Sequence, residues 1–182
     1  MRIAVRPEVQ CDLEIDKVSG NVLSGRGNGT INLDIGIEKP FSITGDYTLT
    51  TGDFHLNVMN IASKNFQIDG GSSIKFNGDI MDSDLDIDAR YQTKTSLANL
   101  IADSTATSYR RNVECGLKVY DKLRNPQLAF SIDIPDLDPS TKSQVESALN
   151  TVDKVQKQFV SLLVTTRSCP TTSPVSSTTA TS

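Results

Sequence analysis

The reactive side chains of this 182-residue chain are few and widely spaced. Cys11, Cys115, Cys169 and the single histidine, His55, are too few for most zinc or thiol sites, which need several soft ligands or a thiol beside an imidazole. Cys11 falls in phase with Val9, Leu13 and Ile15, and Cys115 with Val113, Leu117 and Val119. Both read as small buried hydrophobes, with a Cys11–Cys115 bridge open if their strands are neighbours. His55 lies between Phe54 and Leu56, on the polar phase, and should face solvent. The run from Asp82 to Asp88 sets carboxylates at alternate positions, as a calcium loop does. Such a loop also needs a glycine turn and a later bidentate Glu, whereas here Leu85 and Ile87 fill intervening positions. The run reads as a strand with an acidic outer face. Gly25, Gly27 and Gly29 suggest a phosphate cradle, but no Lys-Ser/Thr follows and no helix opens there. No acid pair, triad or metal cluster is visible, so the expectation is no enzyme, no cofactor and no metal.

Composition narrows the partners. Net charge is −4 and 37% of residues are hydrophobic, with Trp absent. An acidic chain without a Lys/Arg stripe is not expected to bind nucleic acid. No run of about 18 apolar residues exists to span a membrane as a helix. The opening Met-Arg-Ile-Ala-Val-Arg-Pro is too short an apolar stretch for a signal peptide. The chain is thus expected to work in the cytoplasm or to be a piece of a longer protein.

The elements that must position these residues are set by a period of two. Apolar and polar residues alternate through Ile31–Ile37, Phe41–Leu49, Phe54–Val58, Leu85–Tyr91, Val113–Val119 and Leu128–Ile134. Turn-rich breaks are expected at 24–29, 51–53, 69–72 and 77–79, where glycines tolerate positive φ. Roughly eight or nine strands in an antiparallel meander fit before residue 135. A short helix or irregular cover is expected over 95–102. After Asp138-Pro139, a cap and a first-turn proline, Val145, Leu149, Val152, Val155, Phe159 and Leu162 form one helical stripe running to about Val164. Residues 165–182 are mostly Ser, Thr and Pro and should be disordered. The expected organisation is a β-groove domain over 1–138, an amphipathic helix over 139–164 on or beside the sheet, and the tail.

A sheet with one apolar face must hide it. One helix covers part of it, so either the sheet closes as a sandwich or barrel, or it bends into a half-pipe with an apolar concave face. The predicted inward set is Ile31, Leu33, Ile35, Phe41, Ile43, Tyr47, Leu49, Phe54, Leu56, Val58, Leu85, Ile87, Val113, Leu117, Phe130 and Ile132. Seven strand residues span about 23 Å, comparable to an extended acyl chain. At about 0.8 kcal/mol per methylene, a long chain entering water bare loses on the order of ten kcal/mol. An apolar trough removes that barrier and would move lipid or shield apolar strands.

Several segments together resemble a known family. They are Gly45-Asp46-Tyr47, Gly52-Asp53-Phe54, Phe66, Gly70-Gly71-Ser72-Ser73-Ile74-Lys75-Phe76, Gly78-Asp79 and Leu85-Asp86-Ile87-Asp88-Ala89-Arg90-Tyr91. Arg111-Asn112-Val113, Asn125-Pro126, Phe130-Ser131-Ile132-Asp133-Ile134-Pro135 and Gln158-Phe159-Val160-Ser161-Leu162-Leu163-Val164 continue the pattern. Over about residues 1 to 164 the chain resembles the C-terminal domain of the TamB family, AsmA-like envelope proteins, in a Bacteroidetes-like form. The resemblance implies a β-taco body with an apolar groove, and no catalytic residues. It implies a periplasmic C-terminal fragment of an inner-membrane-anchored protein that reaches the outer membrane and meets a TamA-like barrel of the Omp85 family. It also implies phospholipid movement between membranes and the assembly of outer-membrane proteins such as autotransporters. One departure comes after Val164, where an apolar continuation is expected and Thr165-Thr166-Arg167-Ser168-Cys169-Pro170 stands instead. The rival reading is a closed β-sandwich or barrel acting as an adhesin, its function in loops such as Ser24–Thr30 or Asp103–Arg111.

Overall fold

Alternating side chains fit a pleated backbone, whose successive residues face opposite ways. In the computed structural model, which describes residues 1–5, 9–16, 18–36, 40–58, 62–96 and 110–165, eight antiparallel strands form one sheet and two helices come after them. The strands are β1 (Arg2–Val5), β2 (Gln10–Asp16), β3 (Asn21–Asp34), β4 (Ser42–Val58), β5 (Ala62–Ile68), β6 (Ser73–Ser96), β7 (Arg110–Lys122) and β8 (Gln127–Asp133). The helices are α1 (Pro139–Ala148) and α2 (Val152–Thr165). From β3 to β8 the sheet is a meander, and β1 and β2 lie end to end along the outer edge of β3. Among the described residues no pairing joins β8 to β1 or β2. The sheet is therefore open and not a closed barrel, which excludes the barrel form of the rival.

Three of the four expected turns are not turns. Only 69–72 turns the chain; 24–29, 51–53 and 77–79 lie inside β3, β4 and β6, which are 14, 17 and 24 residues long. Gly25, Gly27, Gly29 and Gly52 serve close approach instead. A Cβ on Gly27 would stand 2.0 Å from the Thr48 carbonyl oxygen of β4. Gly45 has φ +132°, and its Cβ would stand 2.0 Å from the Thr30 carbonyl oxygen. Only glycine fits either position.

Bulges explain how long strands keep one apolar face. Arg26 pairs with Thr51 and Gly27 with Leu49, so Thr50 is an extra residue in β4. Tyr47 and Leu49 point inward before it, Phe54 and Leu56 after it, and the inward phase changes from odd to even. An added residue bends the strand and re-aims the side chains beyond it. In β6 the inward phase changes from Ile74 to Leu85, between the stretch paired with β4 (73–78) and that paired with β7 (84–96). β5 is wedged there. It pairs with β4 along its whole length but with β6 only at Gln67 and Ile68.

The stripe expected as one helix is two. Asp138 caps α1, its carboxylate accepting from the Thr141 backbone N–H at 3.0 Å, with Pro139 in the first turn. The Leu149 N–H closes α1 on the Val145 carbonyl. Asn150 and Thr151 then interrupt the helix, as residues that compete with helical backbone bonding do, and α2 restarts with Val155 N–H on the Thr151 carbonyl. The break rotates the stripe, leaving Val152 exposed while Val145, Phe159, Leu162 and Leu163 are buried. In the 95–102 segment, Thr95 and Ser96 belong to β6; its remainder, residues 103–109 and those beyond Thr165 lie outside the described residues.

Candidate functional site on the inward face of the sheet

The inward face is one continuous core. Leu23, Leu49, Phe54, Phe66, Ile87, Cys115 and Val119 are wholly inaccessible. α2 packs across this face. The Phe159 ring stacks on Phe66 of β5 at 5.8 Å between centroids and meets Phe130 of β8 at 4.5 Å, while Phe66 meets Tyr91 at 5.6 Å. These rings join strands that are not neighbours in the sheet.

Fifteen of the sixteen residues expected to face inward are spread over three environments. Ile43, Tyr47, Leu49, Phe54, Leu56, Leu85, Ile87, Val113 and Leu117 are buried. Ile31, Leu33, Phe130 and Ile132 are half-buried. Ile35 and Phe41, where β3 leads into β4, are 73% and 49% exposed. The side chain of Val58 lies outside the described residues.

Part of the face stays open. A cavity of about 830 Å³ lies between the β2–β3 hairpin, the end of β4, the start of β8 and the first turns of α2. Ile15, Phe54, Leu56, Leu128, Phe130 and Phe159 line it, and Asn21, Arg124, Asp153, Gln156 and Lys157 stand around it. It is large enough for a small organic ligand. Of the expected set, Phe54, Leu56 and Phe130 reach this cavity. Ile15 was visible in the alternation around Cys11, and Phe159 in the helical stripe. That they share a cavity depends on how α2 docks, which no local pattern encodes.

The other end of the inward face is polar. Thr93 and Thr95 are buried on β6, and the Tyr91 hydroxyl, buried with them, has no hydrogen-bond partner. Arg111, on the inward phase of β7, has its Nε buried without a partner and a long 3.5 Å bond from Nη1 to the Asp136 carbonyl.

Among the described residues, which do not include Cys169, the reactive side chains are accounted for. Cys11 and Cys115 are free thiols on strands at opposite sides of the sheet, and burial pushes the Cys115 thiol up to about 12. His55 is exposed, with Nδ1 2.7 Å from the cross-strand Asn65 Oδ1. The acidic outer face of β6 is paired with β7. Lys118 sits 2.8 Å from Asp86, Lys122 reaches Asp84, and Arg124 sits 3.1 Å from Asp82. Among the described residues no group of three or more His, Cys, Asp or Glu is placed to hold a metal ion. The arrangement offers shape and apolar surface.

Compared with models of protein families, the chain matches the one described as the TamB C-terminal domain over residues 1–182. No curated protein and no solved structure matches it.

Proposed function

The chain belongs to the TamB C-terminal domain family, and from that premise we propose that it is the C-terminal module of a TamB-like envelope protein whose inward face carries apolar guests. The guests are phospholipid acyl chains moving between inner and outer membranes, and apolar strands of outer-membrane proteins during assembly. The module works in the periplasm and meets an Omp85-family barrel. It acts as a half-pipe, without catalysis.

One observation carries this reading. An open sheet keeps an apolar face of which α2 roofs only a part, leaving the cavity beside Leu56 and Phe130. A soluble domain that leaves such a surface uncovered normally uses it for binding. No helix among the described residues is long and apolar enough to cross a membrane.

Native mass spectrometry of the chain purified from bacterial membranes tests this. Phospholipid adducts are expected on the wild type and not on Leu56→Arg, which places a charge in the cavity wall. Circular dichroism separates loss of guest from loss of fold. A wild type that carries no lipid, and moves none between vesicles, would overturn the proposal.

A further inference from the structure

We infer that Arg111 anchors a phosphate-binding site at the polar end of the inward face. The site lies at the opposite end of β7 from the cavity beside α2, and it does not depend on the transport reading. The open edge of the guanidinium sets the class of ligand. Arg111 gives Nη1 to the Asp136 carbonyl in a long 3.5 Å bond, while Nε is buried and has no partner. A buried donor left unpaired is rare in folded proteins and marks the place of a missing acceptor. The Nε and Nη2 N–H bonds run parallel along one edge, the fork that grips two oxygens of one oxyanion. A water has a single oxygen and fills half of that fork.

The charge of the face sets the sign of the ligand. On the inward phase of β5, of β6 from Leu85 onward, of β7 up to Val119 and of β8, the only charged residues are Lys64 and Arg111. Both are cations. The nearest acid in that phase, Asp121, stands at the far end of β7, about 33 Å away along the strand. Arg90 and Arg124 are each matched by two carboxylates, whereas no carboxylate pairs with Arg111 among the described residues. Lys64 holds its Nζ 5.7 Å from the centre of the Tyr91 ring, which brings the second cation to the same end.

Hydroxyls complete the setting. Thr95 stands directly across the ladder from Arg111 and Thr93 diagonally, and both are buried. One step further along the same face, the Tyr91 hydroxyl is buried without a partner. The guanidinium fork takes two acceptor oxygens, and a carboxylate has no more than two. A phosphate has four, so it can also receive hydroxyl donors beside the fork. Arg111 itself is only half-buried, which leaves the site reachable from solvent. The phosphate can be a free anion or the head of a phospholipid.

Calorimetric titration of the full chain tests the site with two probes, inorganic phosphate and dihexanoylphosphatidylglycerol below its micelle concentration. Saturable binding of at least one is expected. Binding of inorganic phosphate identifies a free anion as a sufficient ligand, and binding of the lipid alone identifies a headgroup. Arg111→Gln should weaken binding at least tenfold with an unchanged circular dichroism spectrum. Arg110→Gln makes the same change of charge on the exposed, outward neighbour and should leave affinity within twofold. Should Arg111→Gln fail to fold, Arg111→Lys keeps the charge and most of the stem but loses the fork, and should weaken binding several-fold. The bound probe should also raise the melting temperature of wild type above its value in chloride of equal ionic strength, and not that of Arg111→Gln. Absence of saturable binding by either probe, or equal weakening by Arg110→Gln, would overturn the site. Lipid binding indifferent to Arg111 would overturn it too, while leaving the transport reading standing. Arg111-dependent binding of inorganic phosphate with no lipid bound supports the site and counts against the transport reading.

Discussion

Asp138 stabilises a helix start through its charge. Its carboxylate accepts from the Ser140 hydroxyl, from the Thr141 backbone N–H and from the Thr141 hydroxyl at 2.7 Å. These bonds, the Ser140 hydroxyl first, hold the carboxyl well below the usual carboxylate range. The folded value being the lower one, the stability it contributes is present above the ordinary carboxylate value, about 3.9, and is lost as pH falls below it. Thermal melts should therefore separate wild type from Asp138→Ala at pH 7 by a gap that narrows progressively as pH falls from about 4 to about 2.5. A constant gap would sink the argument. The Asp138-Pro139 pair was legible because a cap is encoded within four residues. The fates of His55 and the aspartates of β6 were legible for the same local reason, since alternation places them outward. Arg111 was not, because its inward position depends on the strand starting where it does, in phase with Val113.

Elements were legible by period and misread at glycine. The run Leu85, Ile87, Ala89, Tyr91 announces β6 plainly, yet Gly25, Gly27 and Gly29 look like a turn and lie within a strand. Glycine marks both sharp reversal and close backbone contact, and only the partner strand decides between them. Gly27→Ala should thus destabilise the fold by about 1–3 kcal/mol, the usual cost of overpacking, because the Thr48 carbonyl must move. A denaturation midpoint unchanged from wild type would contradict the close approach. The change of inward phase between Leu49 and Phe54 was present in the sequence as a break in parity, and a bulge at Thr50 satisfies it without ending the strand. α2 depends on fewer contacts. Phe159→Ala removes the ring shared by Phe66 and Phe130 and should cost about 3–5 kcal/mol, typical of a buried phenylalanine. Hydrogen exchange should show α2 amides losing protection before those of β6 and β7; simultaneous loss would mean that helix and sheet unfold as one unit.

At the scale of the whole molecule, curvature and the docking of α2 decide what the apolar face does. Neither is written in a period of two. The same sixteen inward positions could line a closed core or an open trough, and the structure distributes the fifteen whose side chains it describes among buried, half-buried and exposed environments. Ile35 and Phe41 sit where the sheet runs out from under its cover. Ile35→Glu with Phe41→Glu should leave the melting temperature within a few degrees of wild type and reduce binding of the dye ANS. A large loss of stability would mean that these side chains are covered in solution. An open sheet also ends in a bare margin. Among the described residues β8 pairs with β7 alone, and its sequence, Gln-Leu-Ala-Phe-Ser-Ile-Asp, contains no proline or lysine of the kind that blunts an exposed edge. Its last rung is thus a template rather than a terminus: any extended polypeptide that reaches it inherits a register, and the ladder can lengthen by one strand without rearranging the strands behind it.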